Sequence, residues 1–349
     1  MSGDAIAGVM AWCPITSLDY ANASYEWNMG QFASCGTRAA GARTSAYSTD
    51  LSAAFASYLN ELGLKDTSGK RLSLSTWASG SYLSGSYYDY VVAAPTTSLN
   101  SFLKDTTFPY TPSSTGGMGA GGGPPSGGAM PSGSSTSAST TYATIADYIA
   151  YLNTDSTWVQ YDARTKTATV RSLEGFMNSQ KNASKDVGSF DGIARGATEN
   201  LVHGLGTNPL HFAASSRSVI AANQSHYATY SDWKSEYAGT QYTSDFAKTD
   251  AIGEKVDYRV NSYNPMYFLS PHYEGYKSAT VAQHWRIRTG IAQGDTANHR
   301  TQPAAGPTEL RNQQRGLGHR LGAGHVQAER TGTATTNFIN WVEQAVTGS

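Results

Sequence analysis

The fold class this chain predicts is α/β: a partial sheet carrying a large inserted cap, or lid, domain. Three observations carry that expectation. "AIAGVMAW" at 5–12 is a short apolar run of the kind found in strands buried on both faces. Near the other end, "HWRIRTGIAQGDTA" brings Trp285, Ile287 and Ile291 into a second buried strand, whose end carries Asp295. The long stretch between them is helical, loop-rich and full of tyrosine. Two sheet-like blocks flanking such an insertion make a core with a cap.

The elements follow in order. The opening residues have no basic n-region and no cleavage site, so no signal peptide is read and the compartment stays open. A chain that enters a central strand at once is expected to continue a longer parent, with Met1 an internal start. "DLSAAFASYLNELGL" predicts a helix with Asp50 as N-cap, Leu51, Phe55, Tyr58, Leu59 and Leu62 on one face, and Gly63 ending it. Residues 86–111 are aromatic and read as irregular. The Gly/Ser/Pro tract at 113–140 cannot bury anything and marks a flexible insertion. "ATIADYIAYLN" resumes helix, and 158–172 reads as a hairpin turning at Ala163–Lys166. "TTNFINWVEQAV" is a terminal amphipathic helix. The expected division is core at 1–30, cap at 31–255 and core again at 256–349.

Composition excludes several function classes. The net charge of −1 offers no field of one sign to nucleic acid or an anionic membrane. No apolar run is long enough to cross a bilayer. Cys13 and Cys35 match no metal pattern; one bridge between them stays open, and unpaired packing residues are favoured. With no HExxH, paired cysteines or carboxylate cluster, neither metal nor cofactor is expected.

An acid on a loop after a strand, then a histidine on a loop before a terminal helix, is the chain order of the last two triad members of an α/β-hydrolase. Asp295 would orient the imidazole of His325, which would take the proton of a serine. The competing reading makes both ordinary surface or core residues. The wording of four stretches adds to this: "AWCPITSLDYANASYEW", "NPMYFLSP", "HWRIRTGIAQGDTA" and "GHVQAERTG…NFINWV". In these motifs and their order the chain resembles the bacterial tannase-like and feruloyl-esterase-like branch of the α/β-hydrolase superfamily. The resemblance covers nearly the whole chain apart from the Gly/Ser tract and residues 299–322.

That resemblance implies a partial α/β-hydrolase sheet with a lid lining the acyl pocket. It also implies a serine esterase acting on small phenolic (galloyl- or feruloyl-like) or other small carboxylic esters. The family's histidine falls on His325. Its two aspartates, in a D-x-D pattern before a threonine, meet "QGDT" here, so Gln293 holds the first position and Asp295 the second. Asp295 is then either the triad acid or a substrate contact; the acid is favoured because no other carboxylate lies near in sequence. Lys185 and Glu199, on either side of "SFD", resemble the lysine and glutamate that bind phenolic hydroxyls in the family. The competing reading makes them solvated surface charges. His211 and His284, each beside aromatics, read as packed, hydrogen-bonded core residues. Asp19 and Glu26 read as fixing a loop or the root of the cap.

No G-x-S-x-G occurs in the sequence. In the family that serine and the oxyanion loop precede "CPIT", so both are expected before Met1, and the chain alone is expected to be inactive. The rival reading is a non-catalytic module whose aromatic cap binds a ligand. Residues 299–322 hold four arginines against one glutamate, with recurring Gly and Pro. Back-translated and read one nucleotide later, they can spell I-E-P-N-L-R-L-A-L-R-N-Y-G-I-N-S-V-D-L-A-T-V-W-G, a helix and strand leading to the histidine loop. A frameshift restored just before His325 is therefore expected, with 299–322 solvated rather than in the strand the fold requires.

Overall fold

The computed structural model describes residues 6–12, 14, 16–33, 36–66, 68–75, 82–112, 140–181, 183–290, 315–320, 329 and 332–347. Their strands fall in two sheets. Strands β1 (Gly8–Trp12), β4 (His284–Gly290) and β5 (Arg315–Arg320) form a parallel sheet in the order β1-β4-β5. Strands β2 (Val159–Asp162) and β3 (Thr167–Val170) form the expected hairpin, with Lys166 in the left-handed region at φ 55°. In the parallel sheet Gly8 lies opposite His284 and Trp12 opposite Arg288, while Gly290 lies opposite Arg320. Parallel pairing requires a crossover between strands, and here everything from residue 13 to residue 283 is that crossover.

Three expectations about this sheet are corrected. Strand β1 is half-buried over Gly8–Ala11, because β4 is its one neighbour among the described residues. Strand β4 buries Arg286 on the face opposite half-buried Trp285 and Ile287, so one of its faces is held by charge. Strand β5 lies inside 299–322, where no strand was expected. A parallel ladder is made by main-chain N–H and C=O groups, which Gly316 and Gly318 supply as well as any residue; β-propensity is too dependent on context to forbid it. The rest of 299–322, the tract at 113–139, Cys13 and Cys35 lie outside the described residues.

The helices carry the apolar mass. Helix α1 (Ala21–Asn28) is buried at every residue. Helix α2 (Arg43–Leu62) starts a turn and more before Asp50, because Arg43 and Tyr47 extend the buried face of Leu51, Phe55 and Leu59 at four-residue spacing. Asp50 is therefore mid-helix, where its carboxylate accepts the Tyr227 hydroxyl; Gly63, at φ 61°, ends the helix as expected. Helix α3 (Ser86–Asp105) replaces the irregular stretch. Its buried face is Tyr87, Val91, Pro95, Leu99 and Leu103, a regular four-residue spacing that a proline in the middle disguises.

Helix α4 (Ile145–Leu152) opens on a capping box between Thr144 and Asp147. Then come α5 (Leu173–Phe176), a π turn at Met177–Lys181, α6 (Thr198–Val202), α7 (Ala214–Tyr227), α8 (Gly239–Ala247), α9 (Val256–Ser262), α10 (Pro265–Leu269) and α11 (Ala334–Thr347).

One apolar cluster runs from Leu18 to Met266, with Trp27, Phe55, Tyr87, Trp158 and Phe176 among its largest members. Among the described side chains it takes in none of β1, β4 or α11. The terminal helix instead leans on the sheet through Trp341, whose ring would lie 2.9 Å from a Cβ added at Gly8. No helix among the described residues is long and apolar enough to cross a membrane.

The entry to α3 is a tightly constrained turn. Gly85 sits at φ 113°, and a Cβ there would meet the Ser73 carbonyl and lie 2.9 Å from the Ser75 nitrogen. Gly85→Ala is expected to destabilise the protein by about 2 kcal/mol or more, read as a lower urea midpoint at unchanged slope.

Candidate functional site

Lys185 lies on the connection between the π turn and α6, in backbone that belongs to no helix or strand. Side chains satisfy it instead. The Lys185 N–H donates to the Tyr25 hydroxyl at 3.0 Å, and the Lys185 carbonyl accepts from Arg38 Nη2 at 2.9 Å. Arg38 is itself locked by a two-point pair with Glu26, at 2.8 and 2.7 Å, and Ser48 donates to the same carboxylate. Glu26 thus fixes a loop, as read from the sequence. The Lys185 ammonium stands 5.5 Å from the centre of the Phe190 ring.

Further along the same connection, Asn22 of α1 accepts from the Phe190 N–H at 2.9 Å and donates to the Asp191 carbonyl at 3.0 Å. The Asp191 carboxylate accepts from Asn200 at 2.6 Å and from the Ala213 N–H, which caps α7, at 2.9 Å. Burial pushes Asp191 up to about 6, against the lowering effect of nearby His211 and these donors. Asn200 also donates to the Leu210 carbonyl and accepts from Gly192 and Ala197. Glu199, half-buried in the first turn of α6, is the residue before this anchor. Lys185 and Glu199 therefore flank one pinned turn.

Beside it, the Asp245 carboxylate accepts from Arg195 at 2.6 Å, from His211 Nδ1 at 2.8 Å and from Lys248 at 3.0 Å. Burial alone would raise this carboxyl, but the His211 and Arg195 hydrogen bonds hold it well below the usual carboxylate range. His211 is fully buried and stacked on Tyr242 at 3.7 Å, as a packed core histidine should be. His284 differs. It is half-buried at the start of β4, and its Nδ1 meets no hydrogen-bond partner among the described residues.

The chain leaves β1 and returns towards β4 through segments tied by a third cluster. Asp19 accepts from Asn264 Nδ2 at 3.1 Å and from the Tyr273 hydroxyl at 3.3 Å, while Ser17 donates to Asn264 Oδ1 at 3.1 Å. Tyr273 and Tyr58 share a hydroxyl contact of 2.7 Å, and Tyr20 stacks on Tyr58 at 3.5 Å. Burial pushes Asp19 up to about 6, against the donors just named.

Asp295 and His325 lie outside the described residues. The residues around them are informative. Strand β4 ends on Gly290 and β5 on Arg320, a paired position, so each candidate follows its strand by five residues of chain. Glu329, four residues beyond His325, is buried and accepts from Arg286 of β4 at 2.7 and 2.6 Å and from Asn337 of α11 at 2.9 Å. The far end of the histidine stretch is thereby anchored to the strand that precedes Asp295. The sequence reading missed this pair, although an arginine inside an apolar strand is itself a signal that a carboxylate must come. It also missed Asn22, Tyr25 and Arg38; "NASYEW" places Asn22, Tyr25 and Glu26 on one helix face, a polar stripe that could have been noticed.

Neither a protein-family model nor a curated protein matches this sequence. Solved structures do. Tannase from Lactobacillus plantarum matches 96% of this chain with a TM-score of 0.57 and 20% identity, over 57% of its own chain. Fusobacterium nucleatum tannase matches 97% with a TM-score of 0.60 and 18% identity, over 59% of its chain. The fold is tannase-like. A tannin acyl hydrolase in complex with ethyl gallate gives a TM-score of 0.57 at 20% identity, over 96% of this chain and 55% of that one. The chain spans less than two thirds of the length of each of these neighbours.

Asp19 has neutral donors and one carboxylate oxygen, Oδ1, without a partner among the described residues. Its raised pKa means that the folded chain keeps a proton the unfolded chain releases between about 4 and about 6. Its contribution to stability therefore falls as pH rises through that window. Asp19→Asn, which keeps the acceptor and removes the charge, is expected to stabilise the protein at pH 8 by up to about 3 kcal/mol, with no gain at pH 4. Urea unfolding at the two pH values checks this; a variant less stable at pH 8 than the parent would refute it.

Proposed function

We propose that this chain carries the acid and the histidine of a serine-esterase-type active site that acts on small esters of phenolic acids. The observation that carries the proposal is the register of β4 and β5. Ligands of parallel α/β sheets bind beyond the carboxyl ends of the strands. Asp295 and His325 follow such ends on adjacent strands at equal distance along the chain from a paired position. In this reading Asp295 orients the imidazole of His325, which takes the proton of the attacking serine and returns it to the leaving alcohol. The helical body between β1 and β4 serves as the lid. Within it the Lys185 ammonium donates to phenolic oxygens and the Glu199 carboxylate accepts from phenolic hydroxyls, the two complementary roles a hydroxyl can satisfy. The fold supports this substrate class: solved structures of the same fold include tannin acyl hydrolases in complex with ethyl gallate and with 3,4-dihydroxybenzoate.

The sequence contains no nucleophile elbow, and this observation favours a second reading, ligand binding without turnover. The upstream coding sequence separates the two: a frame encoding G-x-S-x-G supports the esterase. The purified chain is expected to hydrolyse phenolic and short aryl esters no faster than buffer, since it forms no acyl-enzyme. Joined to an upstream segment that carries G-x-S-x-G, it should gain esterase activity that His325→Ala lowers at least about a thousandfold. Stoichiometric fluorophosphonate labelling of the chain alone, abolished by changing one serine, would overturn the assignment of a missing nucleophile. Activity of the joined protein that ignores His325→Ala would overturn the site.

A further inference from the structure

We infer that Tyr25 and Arg38 are positioning residues for the Lys185 ammonium and thereby set selectivity for hydroxylated aromatic acids; the inference rests on Lys185 as a substrate contact. A lysine is a point charge on a flexible four-carbon stem, so it reads a ring hydroxyl well only if its backbone is fixed. Here no secondary structure fixes it. The two polar main-chain groups of Lys185 are taken up by the Tyr25 hydroxyl and the Arg38 guanidinium.

Both clamps are rigid. Tyr25 is buried in α1, and its ring meets Phe190 edge-on at 5.9 Å. Arg38 is held flat by its two-point pair with the buried Glu26. Phe190, over which the ammonium stands, is fixed from the same helix by Asn22. Asn22, Tyr25 and Glu26 lie at i, i+3 and i+4, so a single face of α1 sets the origin and the direction of the Lys185 side chain.

The test measures dissociation constants of the chain for 3,4-dihydroxybenzoate and for benzoate, which lacks the hydroxyls. The quantity read is their ratio. Lys185→Ala should erase the preference for the dihydroxy acid. Tyr25→Phe, which removes one oxygen and keeps the ring, should reduce that preference about five- to tenfold while benzoate affinity stays unchanged. Arg38→Lys should act in the same direction. A purely structural role would weaken both ligands together or lower the unfolding midpoint with the ratio intact, and either result overturns the inference. Lys185→Ala erasing the preference while Tyr25→Phe preserves it would overturn positioning and leave the substrate contact standing. Absence of any preference in the unmodified chain, or its survival in Lys185→Ala, would overturn the substrate contact itself.

Discussion

A carboxylate sits in the middle of the apolar core. Glu26 belongs to an eight-residue helix that is buried throughout, alongside Asn22, Ser24 and Asn28. Burying such a charge costs several kcal/mol unless opposite charge and hydrogen bonds compensate it. Arg38 and Ser48 supply that compensation, and the Arg38 Nη2 that pairs with Glu26 also donates to the Lys185 carbonyl. Asn22 spends its capacity in the same way, on Phe190, Asp191 and Ser216. A buried ion pair of this kind is weak evidence for stability, and an apolar replacement of the same volume would serve the core as well. What the pair does contribute is an arrangement. Loops with no ladder of their own have one geometry because α1 needs them there.

The body and the sheet are joined by different chemistry. Asp19 uses neutral donors from Asn264 and Tyr273 to tie the outgoing segment to the returning one, and so leaves a proton-sensitive group at the root. Glu329 uses Arg286, with Arg288 at 3.7 Å, to tie the end of the histidine stretch to β4. Burial is what raises Asp19, and its amide and hydroxyl donors lower it without cancelling that effect. The described side chains of β1 and β4 are not part of the main apolar cluster, while α3 of the body packs against β5.

Elements built on apolar periodicity were legible from the sequence. The face of α2, the hairpin, the terminal helix and the positions of β1 and β4 all followed from spacing. Elements whose logic is polar were not. Helix α3 hides its four-residue spacing behind Pro95, and α2 begins early because Arg43, a charged residue, is part of its buried face. Strand β5 was judged by its side chains when its register is a property of the backbone. The candidate site divides the same way. The motifs named Lys185 and Glu199, but the residues that hold the Lys185 loop are Tyr25, Arg38 and Asn22, all far away in sequence, and no local pattern announces such partners.

In the proposed reading, this division separates recognition from chemistry within one chain. The clamp on Lys185 lies wholly within residues 22–190 and involves no residue of the sheet. The proposed acid and base, Asp295 and His325, follow β4 and β5 in the chain, and Glu329, four residues beyond His325, is paired with Arg286 of β4. Binding energy gathered by a lid accelerates a reaction only when it is coupled to the reacting centre. In this tannase-like architecture the body meets the sheet where α3 packs against β5 and at the root, where Ser17 and Asp19 meet Asn264 and Tyr273. That root joins the strand before the body to the segment that leads into β4. In the proposed reading, this root and the packing of α3 on β5 together hold the Lys185 clamp relative to the carboxyl ends of the strands.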